Sequence, residues 1–142
     1  MRAVAKAARR VITALAMAAT ACHLVEPEGR QQTTTFTTAL TPQETRARAE
    51  GWLAERARYE VTSSEPGFVR GEKRRPRTVG PGDQIDVLSV TFASVTEGTR
   101  VEIQALTFEV AGSGARNRAD QVSPEALADQ SALIQVLMPR PF

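Results

Sequence analysis

Residues 85–111 read IDVLSVTFASVTEGTRVEIQALTFEVA, which is the clearest strand pattern in the chain. Residues 85–95 and 99–111 are rich in β-branched and aromatic side chains and alternate apolar with polar positions, which predicts two strands with one buried face. The short connection Thr96–Gly98 predicts that these strands form a hairpin. The apolar positions of the second strand change parity near Ala105, which predicts a bulge or a strand that bends over the core.

The segment upstream of this hairpin predicts one strand and one long helix. Thr33–Leu40 is threonine-rich and alternates with period two, as expected of a first strand. Thr41 is a helix N-cap, followed by proline at the first helical position and by glutamate three residues after the cap. These signals predict a helix that runs to about Tyr59. Its narrow apolar stripe includes Trp52, which we expect to anchor the helix in the core.

The region between the helix and the hairpin contains the densest basic cluster outside the N-terminal segment. Glu65–Gly67 predicts a turn, and Phe68–Arg74 alternates weakly as a second strand. Residues 70–77 then read RGEKRRPR and are followed by a glycine- and proline-rich stretch at Gly80–Gly82. This composition predicts that the basic cluster lies in a loop.

The segment downstream of the hairpin predicts a loop and a second helix. Gly112–Val122 has loop composition, and Ser123 before a proline repeats the cap chemistry of the first helix. Pro139 stops the helix. Its predicted apolar side consists of Leu127, Ile134, Leu137 and Met138.

These elements predict an α+β fold in one domain over residues 33–142. We expect a small antiparallel sheet of about four strands, with one helix packed on it and a second helix at the C-terminus. The size suits one modest hydrophobic core.

The N-terminus has the layout of a secretory signal peptide over residues 1–21. Four basic residues precede the uncharged, alanine-rich run Val11–Ala21, and they are Arg2, Lys6, Arg9 and Arg10. This run is much shorter than the roughly 20 residues that a helix needs to cross the hydrocarbon core. A permanent transmembrane span is therefore not expected.

The segment Leu15–Cys22 resembles the lipobox of bacterial lipoproteins, in which a cysteine follows a short run of apolar and small residues. The resemblance implies that Cys22 carries lipid and that residues 22–32 tether the domain to the membrane. His23 stands where aspartate favours inner-membrane retention, so the resemblance implies the inner leaflet of the outer membrane, facing the periplasm. Ala19–Ala21 also satisfies ordinary signal cleavage, which leaves open a secreted protein with a free thiol at Cys22.

Charge and cysteine content exclude two classes of protein. Four of the 18 basic residues and none of the 16 acidic residues lie in the signal segment, so the remainder carries a net charge of about −2. A domain of this charge is not expected to bind nucleic acid. Because Cys22 is the sole cysteine, no intrachain disulfide can form and packing alone must stabilise the domain.

No catalytic residues, metal ligands or cofactor are predicted. His23 is the sole histidine and lies in the tether, and neither a nucleophile elbow nor a phosphate-binding glycine loop is present. A lone histidine with scattered carboxylates does not make a zinc site. Two carboxylate pairs lie near turns or strand edges, where we expect solvation rather than glycoside hydrolysis: Asp83 with Asp86, and Glu97 with Glu102.

Two classes of function remain. The favoured one is a non-catalytic binding or assembly module that is anchored to the membrane and meets other envelope proteins through a strand edge or the basic cluster. The alternative is a small-molecule or glycan binder with a groove between helix and sheet; a filled core would favour the first class.

The basic cluster carries a prediction of its own. Guanidinium and ammonium groups bind phosphate and carboxylate, so the cluster is a candidate site for anionic lipid or an acidic partner. The competing interpretation is a solvated loop in which these residues pair with nearby carboxylates. The candidate residues are Arg70, Lys73, Arg74, Arg75 and Arg77.

Overall fold

A computed structural model describes residues 30–77 and 80–138 of the chain, and within them an antiparallel sheet carries two helices on one face. The strands are β1 (Gln31–Thr38), β2 (Glu60–Glu65), β3 (Phe68–Pro76), β4 (Asp83–Val95), β5 (Gly98–Val110) and β6 (Arg116–Arg118). The helices are α1 (Pro42–Gly51), which continues as a π-helical turn (Trp52–Arg56), and α2 (Pro124–Leu137). The strand order is β1-β5-β4-β3-β2, and β6 pairs with the end of β5 that β1 does not reach. The α+β prediction is confirmed, but the sheet has six strands rather than about four.

The β4–β5 hairpin is the centre of the sheet, as predicted. Its register runs without interruption from Val95 opposite Gly98 to Gln84 opposite Glu109. The predicted bulge near Ala105 is therefore wrong. Ala105 and the positions before and after it on the same face stay buried, and the apolar residues of opposite parity belong to the other face of the sheet.

Both faces of the hairpin are apolar near its open end. On the face that the helices cover, here called the helix face, fully buried side chains of the strands pack against the helices. On the opposite face, Ile85 and Val87 are buried beside their register partners Phe108 and Leu106. The Arg118 guanidinium lies 6.0 Å from the centroid of the Phe108 ring. The main core residues on the helix face are Val69, Leu88, Val90, Val101 and Ile103 of the strands, with Leu53, Leu133 and Leu137 of the helical segments.

The start of α1 is confirmed and its end is not. Thr41 forms the predicted capping box with Glu44. The helix then widens into the π-helical turn, in which the Ala57 N–H donates to the Trp52 carbonyl at 2.9 Å. Arg58 has a positive φ of 64°, so the chain leaves the helix before Tyr59. Leu53 is fully buried, whereas Trp52 is half-buried at the margin of the core.

Strand β2 was not predicted, and the strand that follows it is longer than predicted. Residues 60–65 read EVTSSE, with a single apolar residue, and they extend because they pair with β3. Strand β3 reaches Pro76 because its basic residues pair in register with β4. The predicted strand Phe68–Arg74 is therefore confirmed and extends to Pro76, and the prediction that the basic cluster lies in a loop is wrong over this strand.

The start and end of α2 agree with prediction, but its buried side differs. Ser123 caps the helix by accepting a hydrogen bond from the Ala126 N–H at 3.0 Å. The buried side consists of Ala126, Gln130, Leu133 and Leu137. Leu127 and Met138, predicted to be apolar core positions, are 37% and 40% exposed.

The N-terminal predictions lie largely outside the described residues. Strand β1 begins at Gln31, inside the predicted tether of residues 22–32. The signal peptide and Cys22 fall within residues 1–29, which are not described. Across residues 30–77 and 80–138, no helix combines the length and the apolar character needed to cross a membrane.

The β4–β5 turn generates the first testable prediction. Gly98 has a φ of +143°, and a Cβ there would collide with the carbonyl oxygen of Thr38. We expect Gly98→Ala to lower the free energy of unfolding by more than about 1 kcal/mol, because both the backbone conformation and the space exclude a side chain. Urea unfolding followed by fluorescence of Trp52, the sole tryptophan, measures this.

Gly51→Ala is the matched control. Gly51 lies at the end of α1 with open space where the Cβ would be. The same substitution should there leave stability unchanged or raise it by up to about 1 kcal/mol. Equal stability of the two variants would contradict the packing described at Gly98.

Candidate functional site

A buried carboxylate on the helix face of β4 organises the most extensive polar cluster among the described residues. Asp86 is fully buried. Its carboxylate accepts hydrogen bonds from the Thr107 hydroxyl of β5 at 2.8 Å, from the Ser123 hydroxyl at 2.9 Å and from the Gln84 amide at 3.3 Å. A buried carboxylate is costly unless it is paired and hydrogen-bonded, and this one is both.

Two of these donors also hold the start of α2. The Ser123 hydroxyl donates to Asp86 and accepts from the Ala126 N–H, so one oxygen links the carboxylate to the first turn of the helix. The Thr107 hydroxyl likewise donates to Asp86 and accepts from the Ser123 N–H at 2.9 Å. The carboxylate charge also lies near the positive end of the helix dipole, which favours it.

Arg75 of β3 supplies the opposite charge. Its Nε lies 2.8 Å from Asp86 Oδ2, and its Nη2 lies 3.1 Å from Asp129 Oδ2 of α2. Among the described residues the Nε–H has no aligned hydrogen-bond acceptor, so its contact with Asp86 is an ion pair without a directed hydrogen bond. Asp129 also accepts a hydrogen bond from the Tyr59 hydroxyl at 2.7 Å. The cluster therefore joins β3, β4, β5 and α2 with Tyr59, the residue before β2.

The protonation states follow from these contacts. Burial raises the pKa of the Tyr59 hydroxyl, and its hydrogen bond to the Asp129 carboxylate raises the pKa further. Burial alone would lower the pKa of Arg75, but the negative charge of Asp86 and the contacts with Tyr59 and Asp129 outweigh it, so the net direction is upward. Tyr59 is therefore held neutral and Arg75 is held charged.

The cluster is built to hold elements together rather than to react. A general base must reach its substrate, and Asp86 is enclosed on all sides by its donors. Its neighbour Ser123 is also buried and is engaged at both its hydroxyl and its N–H. Within the described ranges, no group of three or more histidine, cysteine, aspartate or glutamate side chains is placed to hold a metal ion.

Two grooves of similar volume lie on opposite faces of the sheet. The first, of about 270 Å³, is next to the cluster at the start of α2 and has the Arg77–Glu109 ion pair in its wall. The second, of about 290 Å³, lies on the opposite face and is lined by Phe68, Arg70, Ser89, Thr91, Glu102 and Gln104. Each is at or below the small end of the range for drug-sized ligands. The first groove lies between the helix face of the sheet and the segment that leads into α2, whereas the second lies away from both helices.

The five predicted basic site residues do not form one surface. Strand alternation places Lys73 and Arg75 on the helix face and Arg70 and Arg74 on the opposite face. Arg77 follows the strand. The side chain of Arg74 is the most exposed of the four arginines, at 60%. Binding of anionic lipid by the whole set remains a prediction, and the arrangement offers one exposed arginine in place of a continuous patch.

Each of these cations has a partner within the fold. Arg70 pairs with Glu72, Arg74 with Asp83, and Arg77 with Glu109. Arg75 pairs with Asp86 and Asp129. The Lys73 ammonium donates to the Ala57 carbonyl at 2.7 Å and lies 5.8 Å from the Tyr59 ring centroid.

Asp86 was expected to be solvated, and that prediction is wrong. The pairing of Asp83 with Asp86 in sequence is not a pairing in space, because residues three apart on a strand lie on opposite faces. One signal was present in the sequence: Asp86 has the same parity as Leu88, Val90 and Phe92, which mark the buried face. A charge at such a position calls for a buried partner.

The Asp86 cluster predicts an asymmetry between two aspartates of β4. Asp86→Asn should lower the free energy of unfolding by on the order of 3 kcal/mol, because it removes the charge that faces Arg75. Asp83→Asn, which removes the exposed partner of Arg74, should cost less than about 1 kcal/mol. Urea unfolding monitored by tryptophan fluorescence compares the two variants, and equal losses would show that burial of Asp86 is unimportant.

Tyr59 predicts a pH dependence that one absorbance titration can measure. It is the sole tyrosine, so tyrosinate absorbance reports on this residue alone. In the unfolded chain it should ionise near its ordinary pKa of about 10. In the folded protein the pKa is raised, so its contribution to stability is fully present below about pH 10 and falls as the pH rises further. Native protein should therefore lack tyrosinate absorbance until it unfolds; ionisation near pH 10 without unfolding would contradict the buried contact with Asp129.

Comparison with known proteins adds information on the fold alone. No protein-family model matches the sequence, and a search of curated proteins finds no match. Among solved structures, the chain is similar to a DUF4468 family protein from Bacteroides ovatus, with a TM-score of 0.50 and 9% sequence identity. The similarity covers 82% of this chain and 91% of that one. At this identity the likeness establishes a shared arrangement of helices and strands and does not extend to function.

Proposed function

We propose that this protein is a membrane-anchored, non-catalytic binding or assembly module of the bacterial cell envelope. The anchor rests on the sequence, where the signal segment ends at Cys22 in a lipobox-like stretch. The domain that follows would then be held close to the membrane, where it meets other envelope proteins.

The observation that supports a binding module over a small-molecule binder is the filled space between helices and sheet. Large apolar side chains from both layers meet there with no exposed surface, and they include Leu53, Leu88, Ile103, Leu133 and Leu137. A ligand groove beneath the helices would have required this space, and the groove at the start of α2 lies beside it. A protein partner, in contrast, can use strand edges and outer faces without opening the core.

The polar cluster fits the same proposal. Its carboxylates and hydroxyls form hydrogen bonds and ion pairs between elements, so they stabilise the relative positions of β3, β4, β5 and α2. A rigid scaffold of this kind lowers the entropic cost of binding, because the partner-facing surfaces are already in place.

The anchor predicts a specific covalent state. Intact mass spectrometry of protein extracted from bacterial membranes should show a chain that begins at residue 22 and carries acyl chains on Cys22. Cys22→Ser should move the protein from the membrane fraction to the soluble fraction, because serine lacks the sulfur that would carry lipid and stable anchoring needs two or more acyl chains. An unmodified N-terminal thiol on a soluble protein would establish the secreted alternative.

The same preparation tests the binding class. Under native conditions, the favoured proposal expects the mass of the acylated chain alone or of its protein complexes. A small molecule or glycan that stays bound at a fixed ratio would support the alternative function and would contradict the non-catalytic assembly module.

A further inference from the structure

We propose that two copies of this chain pair edge to edge through β1 and form one continuous antiparallel sheet. The pairing uses described residues only and does not depend on lipidation of Cys22. The contact surface is defined here as the outer edge of β1 together with the exposed apolar side of α2.

The first observation is that β1 is an unguarded edge. It ends the strand order, and within the described residues no strand pairs with its outer side. The strand reads QQTTTFTT over eight residues, with no charge, no proline and no irregularity in its register with β5. Soluble proteins usually guard such edges with lysine, proline, bulges or short strands, because unpaired N–H and C=O groups recruit another strand.

The second observation is that the other edge of the sheet is guarded. Strand β2 carries Glu60 and Glu65 at its ends, and its register shifts between Val61 and Ser63. Two copies pairing antiparallel through β2 would bring glutamates near each other, which is unfavourable. One open edge and one guarded edge allow a closed pair of two molecules and oppose open-ended growth.

The third observation is an apolar stripe on α2 next to this edge. Leu127 and Ile134 are seven residues apart and share one side of α2, and Met138, the C-cap whose N–H donates to the Ile134 carbonyl, follows one turn later. Asp129 points the other way, toward Arg75 of β3. The stripe therefore lies on the β1 side of the helix.

A contact from α2 to β1 supports this placement of the stripe. The Gln130 side chain donates to the Gln32 carbonyl of β1 at 3.1 Å and to the Ile103 carbonyl of β5 at 2.9 Å. Leu127 and Met138 are the two exposed large hydrophobic residues among those described. Their position beside the open edge makes strand and stripe one surface.

A second copy of the chain suits this surface better than an unrelated strand. Antiparallel pairing about a two-fold axis perpendicular to the sheet keeps the helices of both molecules on the same side, so the two stripes face each other across the axis. Because β1 is uncharged, self-pairing brings no like charges together. Threonine and glutamine side chains then lie opposite one another, and cross-strand threonine pairs are favourable.

Single-cysteine crosslinking in the full-length chain tests the geometry. Cysteine is placed in turn at Thr33, Thr34, Thr35, Phe36 and Thr37, in the envelope of cells that make the protein. A two-fold axis brings one of these residues opposite itself, within the reach of a disulfide. We expect a covalent dimer that peaks at one position. The unchanged chain controls for Cys22, and Thr62→Cys, exposed on the guarded edge, should give no dimer.

Charge placed at the edge tests the strength of the pairing. In the detergent-extracted full-length protein, Thr35→Lys or Thr35→Glu alone should raise the dimer dissociation constant at least about tenfold, because like charges meet across the axis. Mixing the two variants should restore a mixed dimer. Sedimentation measures the dissociation constant, and urea midpoints separate this effect from changes in folding stability, which differ between the variants because Glu102 of β5 lies opposite Thr35.

Three outcomes would overturn the proposal. They are a wild-type protein that sediments as a monomer, crosslinking at Thr62 as strong as that in β1, and β1 cysteines that crosslink to a different protein in place of a second copy. The proposed membrane anchor is judged separately from the mass of the chain and its release by Cys22→Ser. Failure of one proposal therefore leaves the other open.

Discussion

Asp86, its hydrogen-bond donors and Arg75 fix the relative positions of three strands and α2. A fully buried carboxylate is tolerated only where hydrogen bonds and an opposite charge compensate for lost hydration. Here those groups come from two other strands and from the N-cap of α2, so the charge is satisfied only when all of these elements are in place. The apolar core favours a compact α+β fold in general, and the polar cluster specifies how α2 meets the sheet.

The same constraint explains why the basic run of β3 has an internal role. Arg75 lies on the helix face, where it forms ion pairs with Asp86 and Asp129. Because side chains alternate along a strand, its neighbours Arg74 and Pro76 lie on the opposite face. A run of like charges that looks uniform in sequence is thus divided between two environments. The proposed partner surfaces lie elsewhere, on an edge and a helix side that carry almost no charge.

Short-range patterns in the sequence predict local structure correctly, whereas contacts between residues distant in sequence could not be predicted. The caps at Thr41 and Ser123 and the β4–β5 hairpin are short-range features, and all are confirmed. Strand β2 has little strand propensity and depends on β3, which no local pattern reveals. Because charge is usually solvated, the sequence predicts a loop for the basic run and a surface position for its partner Asp86, and both predictions are wrong. Parity within β4 was the one clue that could have linked them.

The composition of β1 has a consequence for how its alignment is chosen. A strand made almost wholly of threonine and glutamine offers little side-chain information to distinguish one register from a slipped one. Hydrogen bonds near both ends of the strand fix its register. The Gln130 side chain donates to the Gln32 carbonyl near the start of β1, and the Thr99 hydroxyl donates to the Leu40 carbonyl at 2.7 Å just past its end. The register of the repetitive strand is therefore fixed by contacts with its neighbours. Any molecule that approaches its outer side meets backbone N–H and C=O groups in one fixed set of positions.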